Sequence, residues 1–178
     1  ANPVSDGSGN IRPQLRKARA LLEKSGWTII DGQLNKDGKA FEIEFVLVQP
    51  AFERIVAPYI QNLKRLGIQA NIRVIDPTQY HNRVTNYDFD AIVYSFGQSL
   101  SPGNEQRDYW SSAAADQPGG RNVIGIKDKA VDSLVESLIF ATSRDQLVAA
   151  TRALDRVLLA NHYVVPQWYS PHERLAYW

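Results

Sequence analysis

The run from residue 41 to residue 76, FEIEFVLV, then PAFERIVAPYIQNLKRLG, then IQANIRVID, constrains the fold more than any other part of the chain. In its first piece Phe41, Ile43, Phe45 and Leu47 alternate with Glu42 and Glu44, the period of a strand with one buried face. In the second, Phe52, Ile55, Val56, Tyr59, Ile60, Leu63 and Leu66 recur at helical spacing, and Gly67 closes the helix. In the third, Ile68, Ala70, Ile72 and Val74 alternate again. Strand, helix and strand in this order form a βαβ unit, and such a crossover is right-handed with parallel strands. An interior proline removes a backbone donor and clashes with the preceding turn, so Pro58 predicts a kink or a helix that begins near Ala57.

The rest of the chain extends this α/β plan. RPQLRKARALLEKSG predicts a helix from about Pro13 to Ser25, with Gly26 beyond its end. Asp31-Gly32 and Asp37-Gly38 supply tight turns between short strands. PTQYHNRVTN predicts a short helix, and DFDAIVYSF, apolar on both faces, a central strand. DKAVDSLVESLIFAT and SRDQLVAATRALDRVLLANH predict two amphipathic helices that pack together, the second capped by Ser143. The aromatic tail YVVPQWYSPHERLAYW, broken by Pro166 and Pro171, predicts extended chain. The expected fold class is α/β: a small mixed sheet flanked by helices, with strands near 41–48, 68–75 and 89–95 central.

Composition narrows the function classes. A chain of 178 residues with 44% hydrophobic and 22% charged residues suits one folded core. Twenty basic residues stand among nineteen acidic ones for a net charge of +1, so no one-sided basic surface for nucleic acid is visible. Cysteine is absent, which excludes disulfides, thiolate metal sites and cysteine nucleophiles. Methionine is absent even at position 1, so a processed or excised piece of a longer protein is expected.

In open α/β sheets ligands sit beyond the carboxyl ends of the strands. The segment after DAIVYSF, from Ser95 to Trp110, lies at such an end and is dense in aromatic and neutral polar residues. Phe96, Tyr109 and Trp110 offer flat apolar area, Ser95, Gln98, Ser99, Asn104 and Gln106 offer donors and acceptors, and Arg107 offers a fork for a carboxylate. A solvated loop whose aromatics pack on the core is an equal alternative, and Arg107 equally suits an ion pair with Asp108. Catalytic signals are weak. Asp88 and Asp90 stand at the amino end of their strand, where capping and local pairing are expected. His81, His162 and His172 lack the spacing of paired metal ligands, and no serine sits in a Gly-x-Ser-x-Gly elbow. The expected ligand-facing set is Ser95, Phe96, Gln98, Ser99, Arg107, Trp110 and, from its place in the second Gly-rich turn, Asn122; no metal or cofactor is expected.

The order RKARALLEKSGW, Asp-Gly hairpin, FEIEFVLV, FERIVAPYIQNLKRLGIQANIRVID, YHNRVTNYDFDAIVYSFG and a helix pair before VPQWY closely resembles the C-terminal part of the family 5 extracellular solute-binding proteins. These are the peptide- and nickel-binding components of ABC importers. SPGNEQRDYWSSAAADQPGGRNVIGIKD is similar to the YejA branch of that family. The resemblance implies one lobe of a two-lobed periplasmic-binding-protein fold (type II, cluster C), spanning 1–178, with a tail at 162–178 that returns toward a missing N-terminal lobe. It further implies periplasmic capture of oligopeptides or peptide-like solutes by lobe closure, delivery to permease subunits, and no enzymatic step. Peptide-binding members often carry a Trp and then an Asp after this strand, the Asp pairing with the peptide amino terminus. Phe96 and Ser99 occupy those positions here, so the aromatic platform is kept and the anionic clamp is not. Two other classes remain open: a small hydrolase or transferase using Arg107 and Asp108, and an interaction module that docks another domain through Trp110, Trp168 and Tyr169.

Overall fold

A computed structural model describes residues 7–170, 172 and 175–177. Helix α1, Arg12–Lys24, has Pro13 in its first turn, where the missing amide hydrogen costs nothing, and Gly26 at φ +87° just past its end. A three-stranded antiparallel sheet follows: β1 Thr28–Ile30, β2 Gln33–Lys36 and β3 Lys39–Ala40. Its two turns place Asp31-Gly32 and Asp37-Gly38 at positive φ, as tight hairpins of this hand require.

The second sheet positions the site. Strands β4 Glu42–Leu47, β5 Gln69–Val74 and β6 Ala91–Ile92 are parallel in the order β5-β4-β6. The mixed pairing expected of one sheet is thus divided between two small ones, one antiparallel and one parallel. The βαβ expectation holds: β4 pairs with β5 in parallel from Glu42 with Gln69 to Leu47 with Val74, across helix α2, Glu53–Lys64. One correction concerns α2. It runs from Glu53 through Pro58 without restarting at Ala57, fed by a 3-10 turn at Pro50–Phe52. Pro58 and Arg54, whose carbonyl loses the helical hydrogen bond, are both exposed, so water can satisfy that carbonyl.

A second correction concerns residues 89–95. Only Ala91 and Ile92 pair as strand, and they form an edge; β4 is the central strand. After Ile92 the backbone leaves the ladder. Helix α3, Pro77–Thr85, is capped by Asp76, which accepts from the amides of Thr78 and Gln79, and its Tyr80 hydroxyl donates to the Val93 carbonyl at 3.1 Å. That carbonyl is therefore satisfied by a side chain where a strand neighbour would otherwise bond it. Burial raises the pKa of Tyr80, with the nearby Tyr94 adding to the effect, so the hydroxyl stays a donor.

At the amino end of the parallel sheet, Arg83 bonds Glu44 at 2.7 Å and Asp88 at 3.1 Å, while Asp90 accepts from the Glu44 amide at 2.9 Å. Asp88 pairs locally with Arg83, as its position implied, whereas Asp90 caps no helix and instead bonds the backbone of Glu44 in β4.

The core has two parts. Leu34, Leu63, Leu66 and Ile68 join α2 to the antiparallel sheet, with Trp27 edge-on to Phe41. Tyr109, Trp110, Ile126, Val131, Val135, Leu138 and Leu154 form the other. The latter is built on a helical hairpin, α5 Lys129–Ile139 and α6 Arg144–Ala160, using α4 for the short helix Glu105–Trp110 that precedes it. Asp128 and Ser143 cap α5 and α6.

Candidate functional site

The segment from Ser95 to Trp110 begins as extended chain and ends as the six-residue helix α4, so part of what reads as loop is a core element. Residues Gln106, Tyr109 and Trp110 are buried at i, i+3 and i+4, the helical spacing that marks one face. Glu105 opens α4 and bends back to accept from the Gly103 amide at 2.9 Å, a carboxylate at a helix start. That hydrogen bond, ahead of the opposing effect of partial burial, holds the Glu105 pKa below the usual carboxylate value.

A polar chain crosses the floor of this region. Trp110 Nε1 donates to Gln106 Oε1 at 2.9 Å, and Gln106 Nε2 donates to Gln98 Oε1 at 2.6 Å and to Glu105 Oε1 at 3.1 Å. Gln106 is 3% exposed, so these bonds satisfy an amide that would otherwise be costly to bury. Above it Phe96 packs on Trp110 at 4.8 Å between ring centroids, on Tyr109 at 5.5 Å and on Tyr94 at 5.0 Å. These four rings make an aromatic shelf just past the carboxyl end of β6. Beside it lies a groove of about 500 Å³ between the segment and α6, walled by Gln98, Ser99, Gln106 and Trp110 on one side and by Arg144, Leu147 and Thr151 on the other.

The expected ligand-facing residues separate into two groups. Ser95, Gln98 and Ser99 are exposed, Phe96 is half-buried, and Trp110 is 7% exposed yet reaches the groove wall, so these five stay together at one end of the parallel sheet. Arg107 and Asn122 do not join them. Arg107 pairs with Glu136 of α5 through three hydrogen bonds of 2.6 to 2.9 Å, so its fork is occupied, and by Glu136 rather than by Asp108. Asn122 is fully buried. Its amide nitrogen donates to the Ser111 and Ile126 carbonyls, and its oxygen accepts from the Gly125 and Ile126 amides. It ties a turn to the end of α4 and has no capacity left for a ligand.

Two residues in the neighbourhood stand outside the expected ligand-facing set: Tyr109, read from the sequence only as an aromatic surface, and Arg121, not singled out at all. Tyr109 donates its hydroxyl hydrogen to the Gly97 carbonyl at 3.2 Å, and Arg121 lies over the Tyr109 ring at 4.3 Å and donates to its hydroxyl. The 106/109/110 spacing could have marked Tyr109 as buried. Nothing local marks Arg121, because its partner is twelve residues away.

Among the described residues no group of three or more His, Asp or Glu side chains is arranged to hold a metal ion, and no helix is long and apolar enough to cross a membrane. His81, His162 and His172 are all exposed.

The family described as bacterial extracellular solute-binding proteins, family 5 Middle, matches residues 2–118. The chain is 51% identical over 180 residues to protein y4wM of Sinorhizobium fredii, covering all of this chain and 27% of that protein. It is 46% identical over 179 residues to the probable peptide-binding protein YejA of Agrobacterium fabrum, covering 99% of this chain and 29% of that one. Among solved structures, the oligopeptide-binding protein AppA of Bacillus subtilis in complex with a nonapeptide superposes with a TM-score of 0.73 at 24% identity, over 83% of this chain and 30% of AppA. The chain therefore spans less than a third of the length of these proteins.

Proposed function

Because the chain belongs to family 5 of the bacterial extracellular solute-binding proteins, we propose that it forms part of one lobe of a periplasmic binding protein that captures peptides or peptide-like solutes. The captured solute is handed to the permease of an ABC importer. The observation that carries this reading is the aromatic shelf of Phe96 and Trp110 at the carboxyl end of a parallel sheet, beside a largely apolar groove whose wall carries the polar groups of Gln98 and Ser99. The names of the probable peptide-binding relative and of the peptide-bound AppA support the solute class.

The chemistry of the wall fits capture rather than reaction. Neutral amides and hydroxyls bond a peptide backbone whatever its side chains, and water fills what small side chains leave empty. Ser99 stands where peptide-binding members of the family often place an acidic anchor, which leaves three arrangements: the ligand's amine is held by neutral acceptors, the opposite lobe supplies the charge, or the ligand is not a plain peptide. Affinity then arises from closure. Each lobe supplies part of the surface, and the ligand shifts a pre-existing equilibrium toward the closed form.

Native mass spectrometry of the protein, purified at its gene-encoded length from its own host, tests this. A co-purified mass in the peptide range is expected. Protein free of any such mass that hydrolyses an ester or phosphate substrate contradicts the reading.

A further inference from the structure

Beside the segment stands a cation that the segment itself does not announce, Arg121, distinct from Arg144 and Arg152 of the groove wall. Arg121 is exposed and forms no ion pair among the described residues, whereas Arg83 and Arg107 are each held by carboxylates. Its guanidinium is nevertheless positioned. It stacks on the face of Tyr109, which is 1% exposed, and donates to the Tyr109 hydroxyl, which in turn donates to the Gly97 carbonyl. The chain Arg121–Tyr109–Gly97 ends between Phe96 and Gln98, so the charge is tethered to the centre of the ligand-facing segment. A cation held by an aromatic face and one hydroxyl keeps further N–H donors and its full charge. Glu105 feels that charge through space but is turned to the Gly103 amide and to Gln106, and the two do not pair.

We infer that Arg121 is a ligand-binding residue that docks a carboxylate of the captured solute, either the free terminus of a peptide or an acidic side chain. The inference rests on the capture reading above and assigns it a charge preference: a planar fork recognises a carboxylate with two parallel hydrogen bonds, which a neutral amide cannot reproduce. Arg107, the cation in the segment itself, cannot do this while Glu136 holds it.

The test uses protein of gene-encoded length, stripped of bound solute, and four short-peptide pools: with and without Asp and Glu, each as free acids and as C-terminal amides. Retained masses are read by native mass spectrometry. Wild type is expected to favour carboxylate-bearing peptides by about tenfold to a hundredfold, the range of a charge-assisted hydrogen bond, and R121A to lose that preference while retaining the amides. R121K, which keeps the charge and loses the fork, is expected to fall between. Preference within the pool free of Asp and Glu identifies the terminal carboxylate; preference confined to the acidic pool identifies a side chain. Equal retention of acids and amides by wild type overturns the inference. So does an R121A variant that loses all pools together with thermal stability, which makes Arg121 a lid on Tyr109. Wild type that retains no peptide from any pool overturns the capture reading and this inference with it.

Discussion

Replacing Asn122 with Ala separates a structural residue from a ligand-facing one. Asn122 is fully buried and its side chain makes four hydrogen bonds, to the Ser111 carbonyl, the Gly125 amide and both backbone groups of Ile126. Ile126 is 2% exposed and Ser111 7%, so water does not reach three of these four partners in the folded state, whereas Gly125 is exposed. Each orphaned buried group costs about 1–3 kcal/mol, and the turn relaxes in part, so the variant should lose roughly 3–5 kcal/mol. That is a large share of a stability of about 5–15 kcal/mol. Urea unfolding measures it directly, as a lowered midpoint with an unchanged slope. The folded fraction should bind its peptide with wild-type affinity. A loss of less than about 1 kcal/mol, or wild-type stability with weakened binding, would refute the reasoning and return Asn122 to the ligand wall.

Phe96→Ala removes a ring that three others touch, so it should cost roughly 1–3 kcal/mol of stability and also weaken peptide binding, measured by urea unfolding and calorimetry on the same sample. Gly67→Ala should destabilise by at least about 1–2 kcal/mol, because Gly67 sits at φ +81° and a Cβ there would lie 2.9 Å from the Leu34 amide nitrogen; a neutral result in the same assay would contradict the placement of that turn. Arg107→Ala should change stability by less than about 1 kcal/mol and leave peptide affinity unaltered, since it breaks a half-exposed pair with Glu136. The hydrogen bond from Arg83, ahead of the Coulombic pull of Arg83 and Arg73, lowers the pKa of Glu44. A carboxylate depressed in the folded state contributes stability that is present above its unfolded pKa and lost as pH falls through the folded one. Denaturant titrations from neutral pH into the acid range should therefore show a shallower loss for Glu44→Gln than for wild type.

Local periodicity made the βαβ unit, both Asp-Gly turns, α1, α3 and the helical hairpin legible, because each is set by residues close in sequence. The exceptions have non-local causes. DFDAIVYSF reads as a strand buried on both faces, yet only Ala91 and Ile92 pair, Phe96 packs against the Trp110 core, and the Tyr80 hydroxyl takes the Val93 carbonyl out of the ladder. Pro58 argues for a kink or a helix that begins near Ala57, but α2 already begins at Glu53, and the Arg54 carbonyl that Pro58 leaves unbonded lies on an exposed face where it can be hydrated. Within the site, Phe96, Gln98, Ser99 and Trp110 are placed together by chain continuity and by the Gln106 amide. Arg107 and Asn122 carry suitable chemistry for a ligand, but a residue 29 positions from Arg107 and residues 3–11 positions from Asn122 claim it first. Competition of this kind leaves no trace in composition.

A crystal structure of the protein at its gene-encoded length, with the solute it captures, tests the central claim most directly. Ligand within hydrogen-bonding or van der Waals contact of Phe96, Gln98 and Ser99, and facing a second lobe, is the predicted result. Ligand bound elsewhere, with those side chains covered by protein, would contradict the account.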